Sequence, residues 1–256
     1  MIEPSAVRRL LAAGYGASAG LAGIAAAFVV GTLWVLPFAP VPRGRRERYT
    51  MRGAVLFSRV VLDGILLVDQ RVTGTLDLRD DEGAVIVSNH RSWLDPMLLM
   101  RHTRSNGLSK HEIFWLPFIG LYGWLAGAVF FDRRDPRDRH RARDEVMRLV
   151  RAGHRLQVFP EGTRSRTGAL SERVYLNLPM DCWRAGVPVA CCAVVGTERV
   201  LPPGRFAAWP RQTVELRIGR TLRPSDHPDA HRFATACWAE VQRLVAQPDP
   251  AGAGGG

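Results

Sequence analysis

The sequence predicts an α/β fold, a mixed, largely parallel sheet flanked by helices and preceded by an N-terminal membrane-associated helical segment. Three observations predict it. Residues 10–42 carry no charged side chain. From residue 71 onward, short β-rich runs alternate with helical patterns. One run, GAVIV over 83–87, is apolar without a break, as a strand covered on both faces must be. The chain divides into a membrane-associated helical motif over 1–70, an α/β body over 71–246 and a disordered tail over 247–256.

The uncharged segment is 33 residues long, and a bilayer-spanning helix needs only about 20. Arg8 and Arg9 precede it; Arg43, Arg45, Arg46 and Arg48 follow. Basic residues at both ends do not orient a span. A segment crossing the bilayer and one lying in a single leaflet both fit. A signal peptide fits less well, because the apolar stretch is long and its cleavage site ill-defined. Gly16 and Gly20 have the spacing that admits a second helix, a spacing common by chance in a Gly/Ala-rich stretch. In residues 50–68, Arg52, Arg59 and Asp63 share one helical face and the rest is Val, Leu, Ile and Phe. This is an amphipathic helix, packed on a core or lying at a membrane interface.

In the body, RVTGTLDL (71–78) alternates and reads as a strand, followed by GAVIVSNH (83–90). Asp95-Pro96 opens a helix, with Asp95 as N-cap and Pro96 at the first helical position. Ile113–Phe131 is a second uncharged run, interrupted by Pro117, Gly120, Gly123 and Gly127, and reads as buried or membrane-facing rather than spanning. Asp135-Pro136 opens a charged helix that ends near Gly153. RLQVFP (155–160), GVPVACCAVV (186–195) and TVELRIGR (213–220) read as strands, and 228–246 as a closing helix.

The net charge is +11, and every basic residue but Lys110 is arginine, a fork suited to phosphate and carboxylate. Such a chain can meet nucleic acid, an anionic membrane or a phosphorylated substrate. A nucleic-acid binder would interleave aromatics with a basic stripe or show a known module, and neither is present. Cys182, Cys191, Cys192 and Cys237 form no CxxC spacing and read as small buried hydrophobes in a reducing compartment.

Three short blocks each stand at or near the end of an apolar stretch: NHRSWLD (89–95), GAVFFDR (127–133) and FPEGTRS (159–165). On a straight helix, five residues turn the chain through roughly 500°, which would leave His90 and Asp95 about 140° apart. They can cooperate only if a turn lies between them. Taken in order, the blocks resemble the glycerolipid acyltransferase family that includes lysophosphatidic acid acyltransferase. The resemblance rests on His90 and Asp95 in a His-x4-Asp block, on Gly127, Phe130 and Arg133, and on Glu161-Gly162-Thr163-Arg164. A looser fourth block is Val187-Pro188-Val189, and the resemblance runs from about Arg71 to Pro224.

The resemblance implies that residues 71–246 are an acyltransferase catalytic domain. The reaction would move a fatty acyl group from an acyl thioester to the free hydroxyl of 1-acyl-glycerol-3-phosphate, giving phosphatidic acid. His90 and Asp95 would be the general-base dyad, and Arg133, Glu161, Gly162, Thr163 and Arg164 the substrate-binding set. The co-substrate would be acyl-CoA or acyl carrier protein carrying the acyl chain. The expected partners are membrane lipids, not nucleic acid, with the catalytic domain on the cytoplasmic side. No bound cofactor or metal is expected.

The chemistry is consistent with those roles. Histidine titrates near neutrality and suits proton removal from an attacking hydroxyl. A neighbouring carboxylate fixes its tautomer and stabilises the imidazolium. Two arginines can hold a phosphate bidentately. The active-site set also disfavours a non-enzymatic membrane scaffold. Were Ile113–Phe131 to cross the membrane, His90 and Glu161 would lie on opposite sides, so that run must fold back. The sequence departs from the family after EGTRS. ALSERVYLNLPMDCWRAG has no lysine where many relatives carry one or two near the substrate phosphate, and Arg173 is the nearest cation. Cys191 stands about where the fourth block commonly has a second proline. An alternative acceptor is therefore another lyso-lipid: a lyso-aminolipid, a lysophospholipid or a glycolipid.

Overall fold

The structure, a computed structural model, describes residues 6–165, 168–204 and 207–248. Its centre is one seven-stranded sheet. In chain order the strands are β1 (Asp69–Thr73), β2 (Ala84–Val87), β3 (Ser105–Lys110), β4 (Val129–Phe131), β5 (Arg155–Val158), β6 (Val189–Val195) and β7 (Thr213–Leu222). The spatial order is β1-β7-β6-β2-β5-β3-β4. Only β6 and β7 run antiparallel; every other neighbouring pair is parallel.

The helices are α1 (Ala6–Val30), α2 (Arg46–Arg59), α3 (Asp95–Thr103), α4 (His111–Phe114), α5 (Ile119–Leu125), α6 (Pro136–Arg151), α7 (Asn177–Arg184), α8 (Thr197–Val200) and α9 (Ala230–Val245). Because strand side chains alternate in direction, the central strands supply two cores. Val85 and Val87 of β2 join a cluster with Val146, Leu149, Cys182, Phe233 and Val241 from α6, α7 and α9. Ile86 joins Leu98 and Leu99 of α3, Leu62 and Leu216 on the other face. All four cysteines are buried and free, and burial pushes the Cys182 and Cys192 thiols upward in pKa, which keeps them inert.

Several elements differ from the expectation. The first strand stops at Thr73 because Gly74 turns the chain at φ +79°; a Cβ there would lie 2.0 Å from the Ile218 carbonyl oxygen. β3, SNGLSK, has no strand-like pattern, yet Ser105–Gly107 pair with Arg155–Gln157 of β5. Tertiary pairing overrides local preference there. The uncharged run from Ile113 contains α5 and ends in β4, which pairs with β3. It therefore folds back into the domain, as the topological argument requires. Of the tail expected over 247–256, residues 249–256 lie outside the described residues, and the Gln247 and Pro248 carbonyls accept from Arg217.

Val7–Phe38 is a continuous helical stretch of 32 residues, long and apolar enough to cross a membrane. Part of it is tied to the body. The Tyr15 hydroxyl donates to the Ile65 carbonyl, the Ala208 N–H to the Ala12 carbonyl (3.1 Å), and Thr32 and Tyr122 share a hydrogen bond of 3.0 Å. Among the described residues, nothing lies within 4 Å of a Cβ placed on Gly20. Leu21 and Leu33 are 70% and 60% exposed, and Leu121 and Trp124 of α5 are exposed as well. The buried face of α2 is small and polar: Thr50, Gly53, Ala54 and Ser58, with Arg46 and Glu47. Its continuation buries Val61, Leu62 and Leu66 in the second core.

Candidate active site

Parallel strands deliver the chain to the same edge of a sheet each time, and open α/β sheets bind ligands outside the carboxyl ends of their strands. Val87 of β2 is in register with Val158 of β5. His90 and Glu161 each lie three residues beyond that pair, so they emerge side by side. Arg133 follows β4, and Thr197 follows β6, at the same edge.

The turn between β2 and α3 is built around two buried side chains. Asn89 extends the β2–β6 ladder with its amide. Nδ2 donates to the Val194 carbonyl (2.9 Å), and the Val194 N–H donates to Oδ1 (2.8 Å). Asp95 collects the rest. Its Oδ2 lies 2.8 Å from His90 Nδ1 and accepts the backbone N–H groups of Arg91 (2.5 Å) and Ser92 (2.7 Å). Its Oδ1 accepts the Thr197 hydroxyl at 2.5 Å. This corrects one expectation. Asp95 does not cap its own helix; α3 begins at Asp95 with Leu94 in the cap position, and the carboxylate reaches backward into the turn. The two side chains meet because the turn wraps around that carboxylate.

A carboxylate only accepts, so the facing Nδ1 carries the imidazole proton and leaves the Nε2 lone pair available. His90 is 16% exposed at its side chain and stacks on Phe159, ring centroids 4.1 Å apart. Its main chain is held as firmly. Glu161 Oε2 accepts the His90 N–H (2.6 Å), Oε1 accepts the Ser171 N–H (2.9 Å), and Ser165 N–H donates to the His90 carbonyl (2.9 Å). Burial raises the Glu161 pKa against the pull of those bonds.

The two arginines converge on the same loop. Arg133 donates to the Gly162 carbonyl, and burial lowers its pKa. The guanidinium of Arg164 lies 4.3 Å from the centroid of the Trp93 ring. Gly162 turns at φ +66° against Tyr175. Thr163 is exposed in the loop. The structure thus joins His90 to Asp95 and to Glu161 through direct hydrogen bonds, bonds Arg133 to Gly162, the residue after Glu161, and sets Arg164 against Trp93 of the His90 turn. Sequence reasoning missed Asn89, Trp93, Phe159 and Thr197. The one available signal for Thr197 was its position just past an apolar run, where His90 and Glu161 also stand. Among the described residues, no group of three or more His, Cys, Asp or Glu could hold a metal ion.

A histidine–carboxylate pair and two guanidinium groups stand at the carboxyl edge of a largely parallel sheet, preceded by a helix long and apolar enough to cross a membrane. Residues 69–194 match the acyltransferase family model and form an acyltransferase-family domain. It is 31% identical over 212 residues to the chloroplastic 1-acyl-sn-glycerol-3-phosphate acyltransferase LPAT1 of Arabidopsis thaliana, covering 80% of this chain and 58% of that one. It is 33% identical over 152 residues to 1-acyl-sn-glycerol-3-phosphate acyltransferase alpha of Mus musculus, covering 56% and 52%. The chain spans about half the length of the curated relatives it matches. The fold is shared with the crystal structure of the 1-acyl-sn-glycerophosphate acyltransferase PlsC from Thermotoga maritima. The TM-score is 0.77 at 24% identity, covering 95% of this chain and 98% of that one.

Proposed function

We propose that the chain moves a fatty acyl group from an acyl thioester to the free hydroxyl of 1-acyl-glycerol-3-phosphate, yielding phosphatidic acid. The observation that carries this reading is the 2.8 Å contact between His90 Nδ1 and Asp95 Oδ2. His90 Nε2 takes the hydroxyl proton as the acceptor oxygen bonds to the thioester carbonyl carbon. The tetrahedral adduct then expels the thiolate, which recovers the proton from the imidazolium, so the products are an ester and a thiol. No acyl-enzyme forms, and the inert cysteines take no part. Acyl-CoA and acyl carrier protein both supply the required thioester. The names of the relatives favour the phosphate-bearing acceptor.

Arg133 and Arg164 bind the acceptor phosphate in this reading. Gly162 and Thr163 line the loop between them, and Glu161 holds that loop to the His90 turn. Arg164→Ala is expected to raise the acceptor KM by about tenfold to a hundredfold, the worth of a charge-assisted bond, with the donor KM unchanged. Initial rates with each substrate varied in turn provide the check. An unchanged acceptor KM would leave Arg164 a structural role only.

Membrane binding through Val7–Phe38 supplies the lipid acceptor, with the catalytic domain facing the cytoplasm. Leu21→Arg/Leu33→Arg is expected to move the protein from the vesicle pellet to the supernatant in sedimentation. Each arginine costs roughly 2.5–3.5 kcal/mol at the centre of a membrane helix. Both side chains are exposed, so the melting temperature should not change. The reaction itself is tested with an acceptor panel. Lysophosphatidic acid, glycerol 3-phosphate, lysophospholipids and lyso-aminolipids are offered with a labelled acyl thioester, and His90→Ala serves as blank. Preferential labelling of another lyso-lipid would reassign the acceptor.

A further inference from the structure

We infer that Thr197 is a positioning residue for the catalytic pair, acting through Asp95; this rests on the His90 base reading. The argument starts from the unequal sharing of donors on the carboxylate. Oδ2 faces three: His90 Nδ1 and the N–H groups of Arg91 and Ser92. Oδ1 faces the Thr197 hydroxyl at 2.5 Å. Asp95 is 0% and Thr197 1% exposed, so water does not replace that donor. A buried carboxylate oxygen without a donor is strongly disfavoured. Without the hydroxyl, the carboxylate gains by rotating so that both oxygens share the three remaining donors. That rotation moves Oδ2 away from Nδ1 and swings the imidazole with it.

The segment that carries Thr197 is built to hold this contact. β6 ends at Val195, and Gly196 reverses the chain at φ +86°. A Cβ at Gly196 would lie 2.9 Å from the Thr213 carbonyl oxygen, so only glycine fits without a shift. The short helix that follows grips the His90–Asp95 turn at two further points. Arg91 Nη1 pairs with Glu198 Oε1 (3.3 Å), and Ser92 Oγ donates to the Leu201 carbonyl (2.9 Å). The turn is therefore clamped between the loop after β5, which holds the His90 main chain, and the α8 segment, which holds the carboxylate. Thr197 is the member whose polar atom touches Asp95 itself.

The test separates position from fold. Thr197→Val keeps the shape and removes the hydroxyl; Thr197→Ser keeps the hydroxyl and removes the methyl. Thr197→Val is expected to lower kcat by about tenfold to a hundredfold, as small displacements of a catalytic group do. KM for acceptor and donor should stay within about twofold, and Thr197→Ser should retain at least half of kcat. If Thr197→Val does not fold, Thr197→Ala against Thr197→Ser makes the same comparison, since both lack the methyl and differ only in the hydroxyl. A wild-type kcat without the hydroxyl, an equal loss in the serine variant, or a change in KM in place of kcat would each overturn the inference. His90→Ala is measured alongside. Activity persisting in that variant refutes the base reading itself, whereas an inactive His90→Ala with a fully active Thr197→Val refutes only the role of Thr197.

Discussion

His90→Ala is expected to lower acyl transfer by about 10³- to 10⁴-fold while costing only about 1–2 kcal/mol of stability. The two effects separate because the ring is anchored more by its main chain than by its side chain. The His90 N–H and carbonyl keep their partners, Glu161 and Ser165, in the alanine variant. Asp95 keeps three of its four donors. What is lost is the stack on Phe159 and one hydrogen bond, together roughly 1–2 kcal/mol. The catalytic loss corresponds to about 4–5.5 kcal/mol of transition-state stabilisation. A thermal melt and a labelled-acyl assay on the same preparation measure both. Turnover at the wild-type rate would remove His90 from the mechanism.

Residue types that signal themselves locally were legible. His90, Asp95 and the Glu161–Arg164 block follow runs whose apolar continuity gives away a buried parallel strand. The central strands β2, β5, β6 and β7 and the closing helix stand within a few residues of their expected places. What stayed hidden depends on partners far away in the chain. β3 is polar and contains Gly107, and it is a strand because β5 and β4 pair with it on either side. Thr197 has no motif of its own; its contact to Asp95 crosses 102 residues of sequence and exists because β6 lies next to β2. Asn89 looks like any residue leaving a strand, yet it acts as a strand residue through its side chain. Asp95 shows the subtler failure. An aspartate before a proline at a helix start reads as a cap, and only the turn geometry shows that its Oδ2 serves the residues before it while Oδ1 serves Thr197.

That geometry separates two substitutions at Asp95. Asp95→Ala orphans the N–H groups of Arg91 and Ser92 and the Thr197 hydroxyl in a buried place. At about 1–3 kcal/mol for each unsatisfied donor, the turn and much of the domain's stability go with it. Asp95→Asn offers one acceptor oxygen and one NH₂ group. Three donors crowd one side and a hydroxyl stands on the other, so the amide oxygen turns toward His90, Arg91 and Ser92. The NH₂ group then donates to Thr197 Oγ1, since a hydroxyl can reverse its role. The asparagine variant should therefore fold, with a stability loss of about 1–2 kcal/mol from weaker neutral bonds. Its imidazole keeps the same protonated nitrogen but has no negative charge beside it when the ring takes up the acceptor's proton. The expected fall in kcat is about 10³-fold, with the acceptor KM little changed. Chemical denaturation and steady-state rates on the alanine and asparagine variants check the contrast. An asparagine variant that works at the wild-type rate would show that the charge of Asp95 is dispensable and that the carboxylate serves the turn alone.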